Sequence, residues 1–251
     1  MSCASEKTRA FTLSFQDISK VSSNSCLISS YSPWFDNFSD AGVKSGARYK
    51  PSDFEIKLNH LYQIHLSHGT AIFRNEVFKQ NNLRFDPSFA HAEDYDLFDR
   101  AGTVCKLANI PKVVYKVRQH DSSVSKVFAT VQEDNSQRVK QRIFNRIGIN
   151  PSANDLARYQ ALMHQDYLGL KPNAKELLEL LNELYAANNL SSEFDKSHFQ
   201  NHLKTAWFHF CNASAGRDFN GNVWYENAKF ASSKDLKPST KAKLLLKRIL
   251  R

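Results

Sequence analysis

This chain has little cysteine, little glycine and proline, no long apolar run and no acidic surplus, and each shortage closes off a class of protein. Its 4 cysteines, Cys3, Cys26, Cys105 and Cys211, form no C-x-x-C pair, which argues against a structural zinc and a disulfide framework and reads as ordinary reduced thiols. With only 8 Gly and 7 Pro and 41% hydrophobic residues, 251 residues can bury one substantial core, or a core plus a smaller appended layer, so extensive disorder is not expected. No run of about 18 apolar residues occurs, so a membrane-crossing helix is not expected, and Met1 to Phe15 lacks the apolar core of a signal peptide. The expected location is cytoplasmic.

Acid is outnumbered: 34 Lys and Arg face 25 Asp and Glu, a formal net charge of +9. That surplus suits an anionic partner, whether nucleic acid, acidic membrane or phosphorylated substrate, without choosing among them. Its distribution is uneven. Acidic residues gather between Asp86 and Asp99, whereas Lys237, Lys241, Lys243, Lys247, Arg248 and Arg251 follow one another with no acid among them.

Periodicity divides the chain near residue 125. Phe11, Phe15 and Ile18 have helical spacing between Glu6 and Asn24, and Ser25 to Phe35 is rich in strand formers. Asp36 to Pro51, with Gly42 and Gly46, reads as an irregular connection. A short helix is expected over Glu55 to Gln63, a buried strand over Thr70 to Arg74, and a helix over Asn75 to Asn81 with Asn75 as N-cap. Glu93 to Ala101 reads as a helix, and Leu107 to Val117 as a strand broken near Pro111. Mixed strands and helices in this order imply an α/β layer. After Ser125 helix patterns dominate: Val127 to Ile147, Asn154 to Leu168, the leucine-rich Asn173 to Asn188, and the aromatic Ser197 to Ala213.

The densest chemistry lies in His91-Ala92-Glu93-Asp94-Tyr95-Asp96-Leu97-Phe98-Asp99-Arg100. Two adjacent carboxylates at a helix start meet unpaired backbone N–H groups, which favour ionisation and leave a carboxylate able to take a proton. Acids in a first helical turn also serve as plain caps, so the pair alone does not decide between base and cap. An ordered series surrounds it: Ile72-Phe73-Arg74, then Arg84-Phe85-Asp86-Pro87, then Ala92-Glu93-Asp94-Tyr95-Asp96-Leu97 with Arg100, then Arg118-Gln119-His120 and Ser123-Val124-Ser125.

That series resembles the acceptor-side half of the family 2 glycosyltransferases, enzymes of the GT-A fold. The resemblance is specific from about His68 to Ser125, diffuse from Glu6 to Ser67 and architectural afterwards. It implies an α/β fold, with a partial GT-A-like mixed sheet and helices over residues 1–125 and a mostly α-helical region over 126–251. By the same resemblance Asp94 is the catalytic base, and Glu93 helps orient the acceptor or the base. Arg118 balances diphosphate charge, and Arg74 and His68 line the acceptor cleft. His120 is the metal ligand, reaching a divalent cation (Mn²⁺ or Mg²⁺) or the diphosphate of a nucleotide-sugar donor. Read by themselves, Arg74 and His68 could equally be a surface arginine and a loop histidine.

The resemblance also implies a nucleotide-binding half with a D-x-D motif, and Ser2 to Arg9 looks like sequence just downstream of one. Asp94-Tyr95-Asp96 spells D-x-D but occupies the place of the base helix, so it is not expected to be the metal motif. Transfer to a cell-surface glycan precursor, such as one for lipopolysaccharide, is therefore expected to need a partner chain that supplies the donor half. The alternative is a non-catalytic remnant or interaction protein pairing with another glycosyltransferase. Ser239 to Arg251 could rest on an acidic membrane surface, placing the protein at the inner face of the membrane, or pack its leucines on the body. Nucleic-acid binding rests on net charge alone, and no groove-reading motif supports it.

Overall fold

A computed structural model describes residues 25–29, 34–39, 42–48, 52–110, 113–118, 127–216 and 218–250. The helix expected between Glu6 and Asn24, and His120 with its Ser123-Val124-Ser125 neighbours, lie outside the described residues. Two compact units emerge, one of residues 1–57 with 64–133 and one of residues 58–63 with 134–251.

The first unit carries the strands β1 (Ser25–Ser29), β2 (Trp34–Ser39), β3 (Gly42–Arg48), β4 (Ala71–Phe73), β5 (Lys106–Asn109) and β6 (Val113–Arg118). Its helices are the start of α1 (Asp53–Asn59), α2 (Asn75–Gln80), α3 (Glu93–Val104) and the first turn of α4 (Ala129–Ile147). Helix dominates the described residues as a whole. The strands form two three-stranded sheets, in the orders β4-β1-β5 and β3-β2-β6, in place of one GT-A-like mixed sheet. Each sheet has one parallel pair, β1 with β5 and β2 with β6, and one antiparallel pair. In the sequence Pro33 falls between β1 and β2, and Pro111 between β5 and β6. Proline cannot donate to a ladder, which is a reason for two short sheets where one was expected.

Four expectations are corrected. Within the stretch expected to be irregular, residues 36–39 and 42–48 lie in strands: β2 and β3 pair antiparallel, with Asp36 opposite Ser45 and Ser39 opposite Gly42. The two glycines obscured alternation that the ladder satisfies without it. Strand β4 is not buried, since Ile72 is 39% exposed at the sheet edge. Helix α2 is preceded by Arg74, whose side chain makes no cap bond, so Asn75 is the first helical residue and not the cap. Cys105 is disulfide-bonded, which overturns the reading of all four cysteines as reduced thiols, while Cys211 is free and buried.

Helix α3 organises the core of this unit. Leu97, Phe98 and Ala101 share one face and pack with Ile56, Leu66 and Leu107, with Phe73 and Phe78 at the margin. Each fully buried apolar side chain of this size contributes about 1.5–3 kcal/mol. Asp53 Oδ1 accepts the backbone N–H of Leu107 at 2.7 Å, tying the start of α1 to β5.

The second unit is helical among the described residues, as its leucine and aromatic spacing predicts. It contains α5 (Ala153–Met163), α6 (Ala174–Ser191), α7 (Lys196–Ser214), α8 (Gly221–Glu226) and α9 (Pro238–Leu250). Helix α5 starts with a reciprocal capping box between Ser152 and Asp155. The turn from α6 to α7 is closed by Asn188, whose amide donates to Phe194 O at 3.0 Å while its Oδ1 accepts Phe194 N–H at 2.9 Å. Tyr159, Leu181, Phe199, Trp207 and Phe210 are fully buried here.

Candidate active-site helix

The start of α3 is built by the phrase before it. Asp86 Oδ1 accepts the N–H of Ser88 at 2.8 Å and caps the single 3-10 turn Pro87–Phe89, with proline suited to that first position. Phe89 turns inward and is buried. His91 then adopts φ 63°, an uncommon backbone for a residue with a Cβ. Its carbonyl accepts from Gln132 Nε2 at 2.9 Å, and its ring stacks on Phe128 with centroids 4.1 Å apart. These contacts fix the direction in which the chain enters α3.

Ala92 precedes the helix and no side chain caps it. Glu93, Asp94 and Asp96 occupy the first turn, and they have different roles. Asp96 is 1% exposed and bound by Arg100, whose Nε and Nη2 lie 3.0 and 2.6 Å from the same Oδ2. Arg100 Nη2 also donates to Arg84 O at 2.6 Å, so one guanidinium joins the buried acid to the loop before the helix. Asp96, the last residue of Asp94-Tyr95-Asp96, is thus held by Arg100 inside the unit. Among the described residues no group of three His, Cys, Asp or Glu side chains converges to hold a metal ion.

Asp94 is half-buried, and the N–H of Tyr95 donates to its Oδ1 at 2.7 Å. Burial pushes its carboxyl above the usual carboxylate range; the Tyr95 N–H and the charge of His68 pull it back, and Glu93 beside it pushes up. The result is a carboxylate with more affinity for a proton than a surface aspartate has. His68 sits exposed in the one-turn 3-10 helix His68–Thr70 that leads into β4, and its ring lies 5.2 Å from that of Phe85, which is 45% exposed.

Of the residues expected at the site, Glu93, Asp94 and His68 are therefore brought together. Arg74 is exposed at the junction of β4 and α2. Arg118 ends β6, opposite Phe38 in the ladder, and His120 lies outside the described residues. The sequence reading gave no site role to Phe85 or His91, which it named, and did not single out Phe128 or Gln132. For Phe85 a signal existed, an aromatic between a basic residue and a capping Asp-Pro. For Gln132, 41 positions from its partner, none did.

No family model matches the chain. It is similar, at 27% identity over 152 residues, to a protein of Haemophilus influenzae (strain ATCC 51907 / DSM 11121 / KW20 / Rd) described as an uncharacterized glycosyltransferase. The match takes in 56% of this chain and 46% of that protein, so the chain spans about half the length of the curated relative it matches. Among the described residues no helix is long and apolar enough to cross a membrane. The likeness thus reaches glycosyltransferases in general and extends to no particular family or fold among them.

Proposed function

We propose that the chain takes part in inverting glycosyl transfer from a nucleotide-sugar, as a family 2, GT-A-like enzyme acting on a cell-surface glycan precursor. The observation that carries this reading is the state of Asp94, a desolvated carboxylate at a helix start where no side chain caps. In the reaction the acceptor oxygen forms a bond to the anomeric carbon, and the bond from that carbon to the diphosphate breaks with its electron pair leaving on the diphosphate. Asp94 takes the acceptor's proton, which removes the positive charge that would otherwise build on the attacking oxygen. Glu93 orients the acceptor, and His68 with the exposed Phe85 ring forms a wall on which a sugar face can rest. Arg74 completes the acceptor side. Arg118 and His120 meet the departing diphosphate, together with any divalent ion the donor brings.

The test is release of UDP from a panel of UDP-sugars, with simple methyl glycosides as acceptors, alongside calorimetric titration with UDP and Mn²⁺. The reading expects turnover or UDP binding by the intact chain, and loss of turnover with retained binding in Asp94→Asn. A folded chain that neither binds UDP nor releases it from any donor would remove the enzyme reading for this chain alone.

The alternative reading is a non-catalytic remnant or interaction component that pairs with another glycosyltransferase chain. It expects no turnover alone or with a separately supplied donor half, whereas the transfer reading expects turnover to recover when that half is added.

A further inference from the structure

Helix α9 has its apolar side chains on two faces. Leu244 and Lys247, three residues apart, share the inner face. Leu244 is 2% exposed, and Lys247 Nζ donates to the carbonyl of Asn212 at 2.8 Å and to its side-chain oxygen at 2.9 Å. Asn222 Nδ2 holds the same helix from α8 through the carbonyl of Lys241, at 3.3 Å. With the inner face fixed, Leu245 and Leu246 must turn outward, and they are 49% and 52% exposed. Val223, next to Asn222 and 50% exposed, adds a third apolar side chain beside the helix.

A surface helix of a water-soluble body ordinarily puts polar residues on its outer face. Here the outward positions are leucines, and the spacing continues in the sequence with Ile249 four residues after Leu245 and Leu250 four after Leu246. Around them the charge is of one sign. Lys237 and Lys243 are exposed, and from Leu236 to Arg251 there are six basic residues and no acid. The helix has 13 residues, where about 20 are needed to cross a bilayer, so it can only lie flat on one.

We propose that α9 is a docking helix for a membrane surface bearing anionic lipid headgroups, with Leu245 and Leu246 entering the acyl boundary and Lys237 and Lys243 set against the headgroups. One-signed charge flanking an apolar outer face selects this occupant. Apolar contact supplies depth, and each basic residue near an anionic surface adds roughly fivefold in affinity. The proposal is independent of the transfer reaction and would stand if the chain had no catalytic activity.

The experiment is co-sedimentation of the full chain with vesicles of phosphatidylcholine alone and of phosphatidylcholine mixed with phosphatidylglycerol. Binding is expected to the mixed vesicles, weakening as salt is raised. Leu245→Ser with Leu246→Ser should lower that binding by about tenfold or more, and Lys237→Glu with Lys243→Glu by roughly tenfold or more. All four side chains are exposed, so circular dichroism and thermal unfolding should be unchanged in both variants. Failure to sediment with the mixed vesicles overturns the proposal, as does equal binding by the leucine variant. A concentration-dependent dimer that the leucine change abolishes, with no vesicle binding, would assign the face to a second copy of the chain and overturn it too.

Discussion

The starts of α3 and α7 each carry an aspartate, and the two have opposite properties. Asp195 stands just before α7 and acts as its cap: Oδ1 accepts the N–H of His198 at 3.0 Å, the hydroxyl of Ser197 at 2.9 Å and lies 2.8 Å from His198 Nδ1. Those bonds, led by the His198 N–H, hold its carboxyl down to about 2. Asp94 lies two positions further along its helix, accepts the Tyr95 N–H and is desolvated, and burial outweighs that bond, so its carboxyl is pushed up. A helix N-terminus therefore does not by itself decide what an acid does. Hydrogen bonds to the ionised form make a structural acid, and burial with few such bonds makes one that accepts a proton.

The sharpest way to break this contrast is to neutralise each acid in turn. Asp94→Asn is expected to lower the rate of glycosyl transfer by about 10²–10⁴-fold, the usual contribution of a general base, whereas Asp195→Asn should leave turnover unchanged. Steady-state UDP release from the active donor checks both, and equal losses in the two variants would remove the distinction. The next effect is on stability. Arg100→Ala takes the guanidinium from the buried Asp96 and frees the loop at Arg84, and should cost about 2 kcal/mol in urea unfolding, with Asp96→Asn in the same background recovering part of it.

A cation should respond to burial in the opposite sense. His202 is half-buried, with its Nε2 3.2 Å from the Tyr159 hydroxyl, and desolvation pushes it down to about 4. Its folded value is below its ordinary 6.5, so the unfolded chain binds the extra proton first. Stability is complete above 6.5 and falls by about 2 kcal/mol as pH drops toward 4, a slope that His202→Gln should remove.

The two aspartates give the smaller, opposed pH effects. Asp94, raised in the fold, keeps its proton longer than the unfolded chain does, so stability falls as pH rises from 3.8 through its folded value. Asp195, lowered in the fold, contributes stability above 3.8 that is lost as pH falls toward 2. Thermal unfolding of the two asparagine variants across this range should diverge in sign. His68→Gln is the finest probe, since removing its charge should move the acid limb of the transfer profile upward without changing the fold.

Much of this site was legible in the residues. Glu93 and Asp94 stand at a helix start as their spacing implies, and Asp96 pairs with Arg100 one turn on. An i, i+4 acid and arginine is local, and local pairs are readable. Illegible was the contact closed from a distance: Gln132 on the carbonyl of His91, 41 positions away. The hairpin of β2 and β3 was missed because its glycines mask alternation, and the exposed face of β4 because periodicity over three residues carries no signal. The helices of the second unit were the most readable, since apolar stripes in α6 and α7 repeat over several turns.

The parallel pairing of β1 with β5 joins Ser29 to Asn109, and that of β2 with β6 joins Phe38 to Arg118. Contacts so distant in the chain bring no reward until a long loop has been closed, and they slow folding relative to a helical bundle. During synthesis the segment holding Asp94 emerges before β5 and β6 exist to complete either sheet. Until then the edges of β1 and β2 are open to other chains. The second unit, made from neighbouring helices, has no such wait, so the interval in which the nascent protein most needs a chaperone is the one just before residue 118 leaves the ribosome.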